Sequence, residues 1–172
     1  MAIDTGIGIS ITQVTSTQQA PLGQTVLKPA GSNGEGEQVW IYVQAYEALV
    51  KGNAACRQIT AGALNADLIV QKIPVGTPSD LVVGVAQHAF TVVLPDGSTA
   101  PAPYYGWLLK SGQGQVLVDS VNVVGGTGAV VPGANAVGTA EAGAATANGF
   151  GVGIATTAVN LLAPVVLNCP AS

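Results

Sequence analysis

Short apolar, β-branched segments recur along this chain at a spacing of about ten residues, separated by glycine and proline turns. This spacing is typical of short strands, in which alternate side chains point to opposite faces. Residues 134–148 are rich in alanine, but Gly138 and Gly143 interrupt any helix there. We therefore predict an all-β fold, a small β-barrel or β-sandwich, in which the Gly/Ala-rich stretch 125–149 forms a loop and an edge strand.

The chain of 172 residues fits one domain with an extension. Residues 1–37 are rich in Gly, Ser, Thr, Asn and Gln and predict an extended N-terminal arm and a turn-rich loop. Ordering such an arm costs about 1–2 kcal/mol per residue, so we expect it to fold only against the body or a neighbouring subunit. Residues 38–172 predict a single β-rich body.

Residues 38–50 contain the first strong strand pattern. At a period of two, an aliphatic row suits a core. The opposite row suits a second contact surface that is partly exposed to solvent; it consists of Trp40, Tyr42, Gln44 and Tyr46.

The later strands follow the same reasoning. Segment 79–94 is almost continuously apolar and predicts a buried strand, with Gly84 at a bulge or a close backbone approach. The residues "PDGST" (95–99) predict a turn, in which the aspartate bonds to the backbone ahead and the glycine takes a positive φ. A further strand is expected over 115–124.

Composition limits the function classes. Charged residues are 8% of the chain, against about 25% in an average globular protein, so we expect other chains to cover part of its surface. The net charge of −4 and the lack of a basic run argue against direct nucleic-acid binding.

No apolar run approaches the ~20 residues of a membrane helix, and the N-terminus lacks the pattern of a signal peptide. We expect a protein made in the cytoplasm, without a membrane partner.

No residue pattern points to an enzyme, a metal or a cofactor. His88, the only histidine, lies in an apolar run and is interpreted as a buried or interfacial structural residue. Asp119 is interpreted as a charged residue on a solvent or interface face. Cys56 and Cys169 predict buried thiols rather than a disulfide. Phosphate-loop and nucleophile-elbow motifs are absent.

The segment "YYGWLLKSGQGQV" (104–116) concentrates aromatic residues around a glycine, which lets neighbouring backbone approach closely. Buried tryptophan is common in cores and at interface hot spots alike. The candidate interface or core anchors are Trp40, Tyr42, Tyr46, Tyr104, Tyr105, Gly106 and Trp107.

Four stretches carry a family resemblance when they are taken in order: "EQVWIYVQA" (37–45), "GVAQHAF" (84–90), "YYGWLLKSGQGQV" (104–116) and "GIATTAVNLLAPVVLNCP" (153–170). Together they resemble the small, β-rich capsid decoration (cement) proteins of tailed bacteriophages. The N-terminal arm and residues 125–149 are not matched.

The resemblance implies a non-enzymatic virion protein on the outer capsid surface, made in the cytoplasm of the host bacterium. It implies two partners, the major capsid protein and further copies of the chain, as a homotrimer rather than a homodimer. We expect residues 1–20 or 125–149 to contact the capsid, while the two aromatic strands hold the barrel and the oligomer together. Deletion of residues 1–15 should then abolish docking and leave the fold intact.

Two alternatives stay open. A tail-tube or other tail structural subunit would share the all-β, low-charge character but would form stacked rings. A carbohydrate-binding β-sandwich would use Trp40, Tyr42 or Trp107 as a platform for sugar rings.

Overall fold

The computed structural model describes residues 9–30, 36–60, 63–64, 67–119, 129–143, 149–155 and 157–171. Within these ranges the protein is all-β, as predicted, with one short 3-10 turn at Ser79–Leu81. The strands are β1 (Thr25–Lys28), β2 (Gln38–Ala45), β3 (Ala54–Arg57), β4 (Ile59–Thr60), β5 (Ala63–Leu64), β6 (Ile69–Lys72), β7 (Val82–Val85), β8 (Tyr104–Leu117), β9 (Ala129–Pro132), β10 (Ala140–Ala142), β11 (Gly151–Gly153) and β12 (Leu162–Asn168).

Five strands close into a barrel in the order β2, β6, β3, β7, β8 and back to β2. The closing pair is antiparallel and runs from Ala45 opposite Tyr104 to Val39 opposite Ser111. The β2–β6 pair is parallel. Closure pairs the long central strands on both sides, which removes the free edges that an open sheet would present.

The long strand β8 joins two parts of one continuous sheet. Its first half closes the barrel, and its second half, residues 111–117, pairs antiparallel with β12. Strands β11, β9 and β10 follow β12 in that order, so that β10 lies at the edge. We call the second half of β8 together with β12, β11, β9 and β10 the second sheet.

Side chains from the two faces of the barrel strands enter two different hydrophobic clusters. The barrel core takes one face of all five barrel strands and includes Ile41, Val43, Ala55, Val70, Val83 and Leu108. The outer core lies between the barrel, the second sheet and the arm, and includes Trp40, Tyr42, Cys56, Trp107, Leu109, Val116, Val130, Ala163, Val165, Leu167, Ile9 and Ile11. The alternation predicted for 38–45 is therefore confirmed, with both faces buried.

The described part of the predicted arm packs on the body. Ile9 and Ile11 are buried in the outer core, and Thr15 exchanges two backbone hydrogen bonds with Tyr105, of 2.9 and 2.8 Å. Deletion of residues 1–15 removes these core side chains, so we now expect it to lower the stability of the body as well as to affect docking. Residues 1–8 and 31–35 lie outside the described residues.

Strand lengths differ from expectation in two places. The strand predicted over 79–94 ends at Val85, because Ala86 bonds to Asn53 and Gly52 in the turn that precedes β3. Within it, Gly84 does lie at a close approach, since a Cβ there would meet Cβ of Leu108 at 2.8 Å. The first part of the strand predicted over 115–124 is the end of β8, which stops at Leu117, and residues 120–124 lie outside the described residues.

Two local predictions are confirmed. In the 95–99 turn, the Ser98 N–H donates to Oδ1 of Asp96 at 2.9 Å, and Gly97 has a φ of +81°. In the described part of the Gly/Ala-rich stretch, β9 and β10 form an antiparallel pair at the sheet edge rather than a helix.

Candidate interaction surface

The aromatic row of β2 does not form the wet contact surface that its pattern predicted. Trp40 and Tyr42 are buried in the outer core, and Trp107, opposite Tyr42 on β8, is 0% exposed. The rings of Tyr42 and Trp107 meet edge to face, with their centroids 5.0 Å apart. The Tyr42 hydroxyl accepts the Gln19 N–H of the arm at 3.0 Å. The arm and the second sheet cover this row, so it is unavailable as a platform for sugar rings.

The aromatic turn of β8 is also packed inside the protein. The Tyr104 hydroxyl donates to the Ala100 carbonyl at 2.7 Å, and Tyr105 is half-buried beside the arm. A Cβ on Gly106 would meet the Phe90 ring at 3.2 Å, which is the close approach that its glycine predicted. Tyr46 is the exposed member of the seven anchor candidates. It follows the last residue of β2, Ala45, and so lies beyond the strand whose side chains the outer core covers.

The structure corrects the interpretation of Asp119, which is fully buried rather than on a solvent or interface face. Its Oδ2 accepts the backbone N–H groups of Asn135 and Ala136, at 2.9 and 3.1 Å, and the Thr139 hydroxyl at 3.2 Å. These three donors belong to the connection between β9 and β10. Asp119 therefore holds this connection against the end of β8, a structural role that the sequence did not indicate.

The titratable groups of the interior are shielded from solvent. The His88 ring stacks on Phe90 with the centroids 5.4 Å apart, and burial lowers the pKa of His88. Burial raises the pKa of Cys56 to about 11 and that of Cys169 to about 12. Both cysteines are free and buried, as predicted. Across the described ranges, no three His, Cys, Asp or Glu side chains gather as metal ligands would.

We expect both thiols to resist alkylation in the folded protein, because a raised pKa leaves almost no thiolate near neutral pH and burial blocks access. Iodoacetamide at about pH 8 should modify neither cysteine in native protein and both in urea, as counted by mass spectrometry. Rapid native modification of either thiol would contradict its burial.

An apolar surface lies on the outward side of the second sheet. Val152 of β11 pairs directly with Val166 of β12, and both side chains are exposed. Ile154, which bonds to the Pro164 carbonyl, and Leu161 lie in the connection between these strands, and the four residues are between 45% and 57% exposed. We call Val152, Ile154, Leu161 and Val166 the outer apolar face.

The charge around this face is low. Glu141 of β10 is the one charged side chain on strands β9 to β12 as the structure describes them. An apolar patch without charges can pack against another protein without leaving buried ions unpaired. Other strongly exposed aliphatic residues lie elsewhere on the protein: Leu27 on β1, Val50 before β3, Val75 after β6, Val93 in the 93–99 hairpin and Val137 between β9 and β10. In the part of the chain that the structure describes, no helix has the length and apolar character needed to cross a membrane.

Comparisons with known proteins return one solved structure that resembles this chain. It is described as the head fiber gp8.5 N base in bacteriophage phi29, with 14% sequence identity and a TM-score of 0.48. The match covers 76% of this chain and 94% of that chain. At this identity and TM-score the similarity establishes neither a shared family nor a shared function. No protein-family model matches the chain, and no curated protein matches it.

Proposed function

We propose that this chain is a non-enzymatic structural protein of a tailed-bacteriophage virion, which docks on the outside of the capsid and reinforces contacts between capsomers. The observation that carries the proposal is the outer apolar face, which the folded chain leaves uncovered although it buries both faces of β2. The resemblance of four ordered sequence stretches to decoration proteins supports the same function.

The proposed occupant of the outer apolar face is the major capsid protein. The face lies on β11 and β12, and β11 pairs with β9, so the face borders the described part (129–143) of the region 125–149 that is expected to touch the capsid. The chain is proposed to dock as a homotrimer rather than a homodimer. An oligomer that contacts several capsid subunits at once binds tightly even if each contact is weak, because the first contact raises the effective concentration for the others.

The test of the proposed function is the copy number of the chain in gradient-purified phage particles that encode it. Quantitative mass spectrometry should find hundreds of copies, at a simple ratio to the major capsid protein. A few dozen copies, or enrichment with detached tails, would instead support a tail subunit. Absence from the particles would overturn both virion assignments.

Substitution of Val166 by glutamate tests the face itself. We expect docking on shells that lack the protein to weaken by a factor of about ten to a hundred, because the variant buries an unpaired carboxylate in the contact. Stability should change by less than about 1 kcal/mol, since Val166 is an exposed residue. Co-sedimentation with shells, followed by quantitation of bound protein, measures the effect.

Val93→Glu is the matched control, because Val93 is an exposed valine in the hairpin 93–99 and lies outside the outer apolar face. It should dock as the unmodified protein does. Equal docking by both variants would exclude the outer apolar face as the capsid contact.

A further inference from the structure

A polar groove lies where the barrel and the second sheet separate. Its volume is about 470 Å³, within the range of ligand sites in proteins. The arm contributes Ile11 and Thr12 to its wall, and β2 contributes Trp40. Among the described residues, the remaining polar lining consists of two lysines and four glutamines: Lys28, Lys51, Gln38, Gln87, Gln113 and Gln115. We call this site the lysine–glutamine groove.

Two of the glutamines are fixed by backbone groups of β8. The Gln87 carboxamide donates to the Gln115 carbonyl at 3.0 Å and accepts the Gln115 N–H at 2.9 Å, as a neighbouring strand would. Nε2 of Gln38 donates to the Gln113 carbonyl at 2.7 Å. Both side chains form hydrogen bonds with backbone groups of β8 along the groove. Because these bonds hold the glutamines in place, this wall of the groove exists before any ligand binds.

Two polar atoms in this wall have no hydrogen-bond partner. They are Oε1 of Gln38 and Nε1 of Trp40, and both side chains are more than nine-tenths buried. A buried polar atom without a hydrogen-bond partner lowers the stability of the folded state by about 1–3 kcal/mol. The folded chain therefore carries one unpaired acceptor and one unpaired donor at this wall. Both atoms are covered in the folded chain, so a ligand that supplies an N–H and a carbonyl or carboxylate oxygen would satisfy them once the two side chains shift toward it.

The charges of the groove have one sign. Two of the five Lys and Arg residues of the chain line it, and no carboxylate among the described residues does, although the chain as a whole is acidic. A partner that carries negative charge is therefore favoured at this site.

We propose that the lysine–glutamine groove binds an extended, acidic peptide segment of the partner protein. A carboxylate of that segment pairs with Lys51, and its peptide groups bond to Gln38 and Trp40. A peptide fits better than an acidic sugar, because Trp40 is only 4% exposed and offers no open ring face for a sugar to stack on. The inference rests on the proposed function, since it specifies how this chain recognises the capsid protein.

The test compares docking of full-length variants on shells that lack this protein. Lys51→Gln should weaken docking about tenfold or more, through loss of a charge-assisted hydrogen bond, whereas Lys51→Arg should keep it. Docking of the unmodified protein should also weaken between about 0.05 M and about 0.5 M NaCl, and Lys51→Gln should lose part of that salt dependence. Thr99→Glu, an exposed substitution that makes the same change in net charge, should dock normally.

Carbodiimide cross-linking on the assembled shells identifies the occupant, because it joins an ammonium to a carboxylate directly. A cross-link from Lys51 to an Asp or Glu of the capsid protein would establish the acidic peptide. A cross-link to a uronate sugar, or unimpaired docking by Lys51→Gln, would overturn the inference. Failure of the unmodified protein to dock would instead overturn the proposed function, so the two failures are distinguishable.

Discussion

Replacement of Trp107 by alanine is expected to lower the free energy of unfolding by about 3–5 kcal/mol, the largest effect that we expect from a single substitution. Trp107 is among the largest fully buried side chains and sits where the barrel meets the second sheet. Its removal deletes the edge-to-face contact with Tyr42 and opens a cavity that neighbouring β-strands cannot collapse to fill.

Urea unfolding followed by far-UV circular dichroism measures this loss, because that signal does not depend on the tryptophan itself. Trp107→Phe should recover more than half of it, since most of the ring volume returns. Tyr46→Ala is the matched control, as it removes an aromatic ring that is exposed, and should cost less than about 1 kcal/mol. A Trp107→Ala effect no greater than that of Tyr46→Ala would contradict the packing of Trp107 in the outer core.

Replacement of Asp119 by alanine is expected to cost about 2–4 kcal/mol. It leaves the N–H groups of Asn135 and Ala136 without this acceptor, whereas the Thr139 hydroxyl keeps the Ala136 carbonyl at 2.6 Å. A buried donor without a partner costs about 1–3 kcal/mol. Because these donors lie in the connection between β9 and β10, the variant should lose order in that connection as well as overall stability. Limited proteolysis should cut between β9 and β10 faster in the variant, and urea unfolding gives the global cost.

Two variants separate this role from a general effect of charge. Asp119→Asn keeps an acceptor oxygen and should cost less than Asp119→Ala. Asp96→Ala removes an exposed carboxylate that bonds to Ser98 within its own turn, and should change stability by less than about 1 kcal/mol. If Asp119→Ala resembled Asp96→Ala in stability and in proteolysis, Asp119 would not hold the connection.

The interaction sites were less accessible to sequence reasoning than the fold. In β12 both rows are apolar, so the pattern does not distinguish the buried Ala163, Val165 and Leu167 from the exposed Val166. The lysine–glutamine groove unites Lys28, Lys51 and Gln87 with Gln113, which are far apart in sequence. No local spacing signals such a site, because only the register of β8 with its neighbours brings these residues together.

The amino-acid sequence by itself determined the all-β class, the alternation of side chains along β2, the 95–99 turn and the buried state of both thiols. These follow from local rules: the period of a strand, the φ preference of glycine and the cost of exposing apolar groups. The tertiary structure alone decided what covers each face. Trp40 faces away from the barrel core yet is buried, because the arm and the second sheet pack over it, and Asp119 is enclosed by residues from a later connection. Burial depends on contacts between segments distant in the chain, which the period of one strand does not encode.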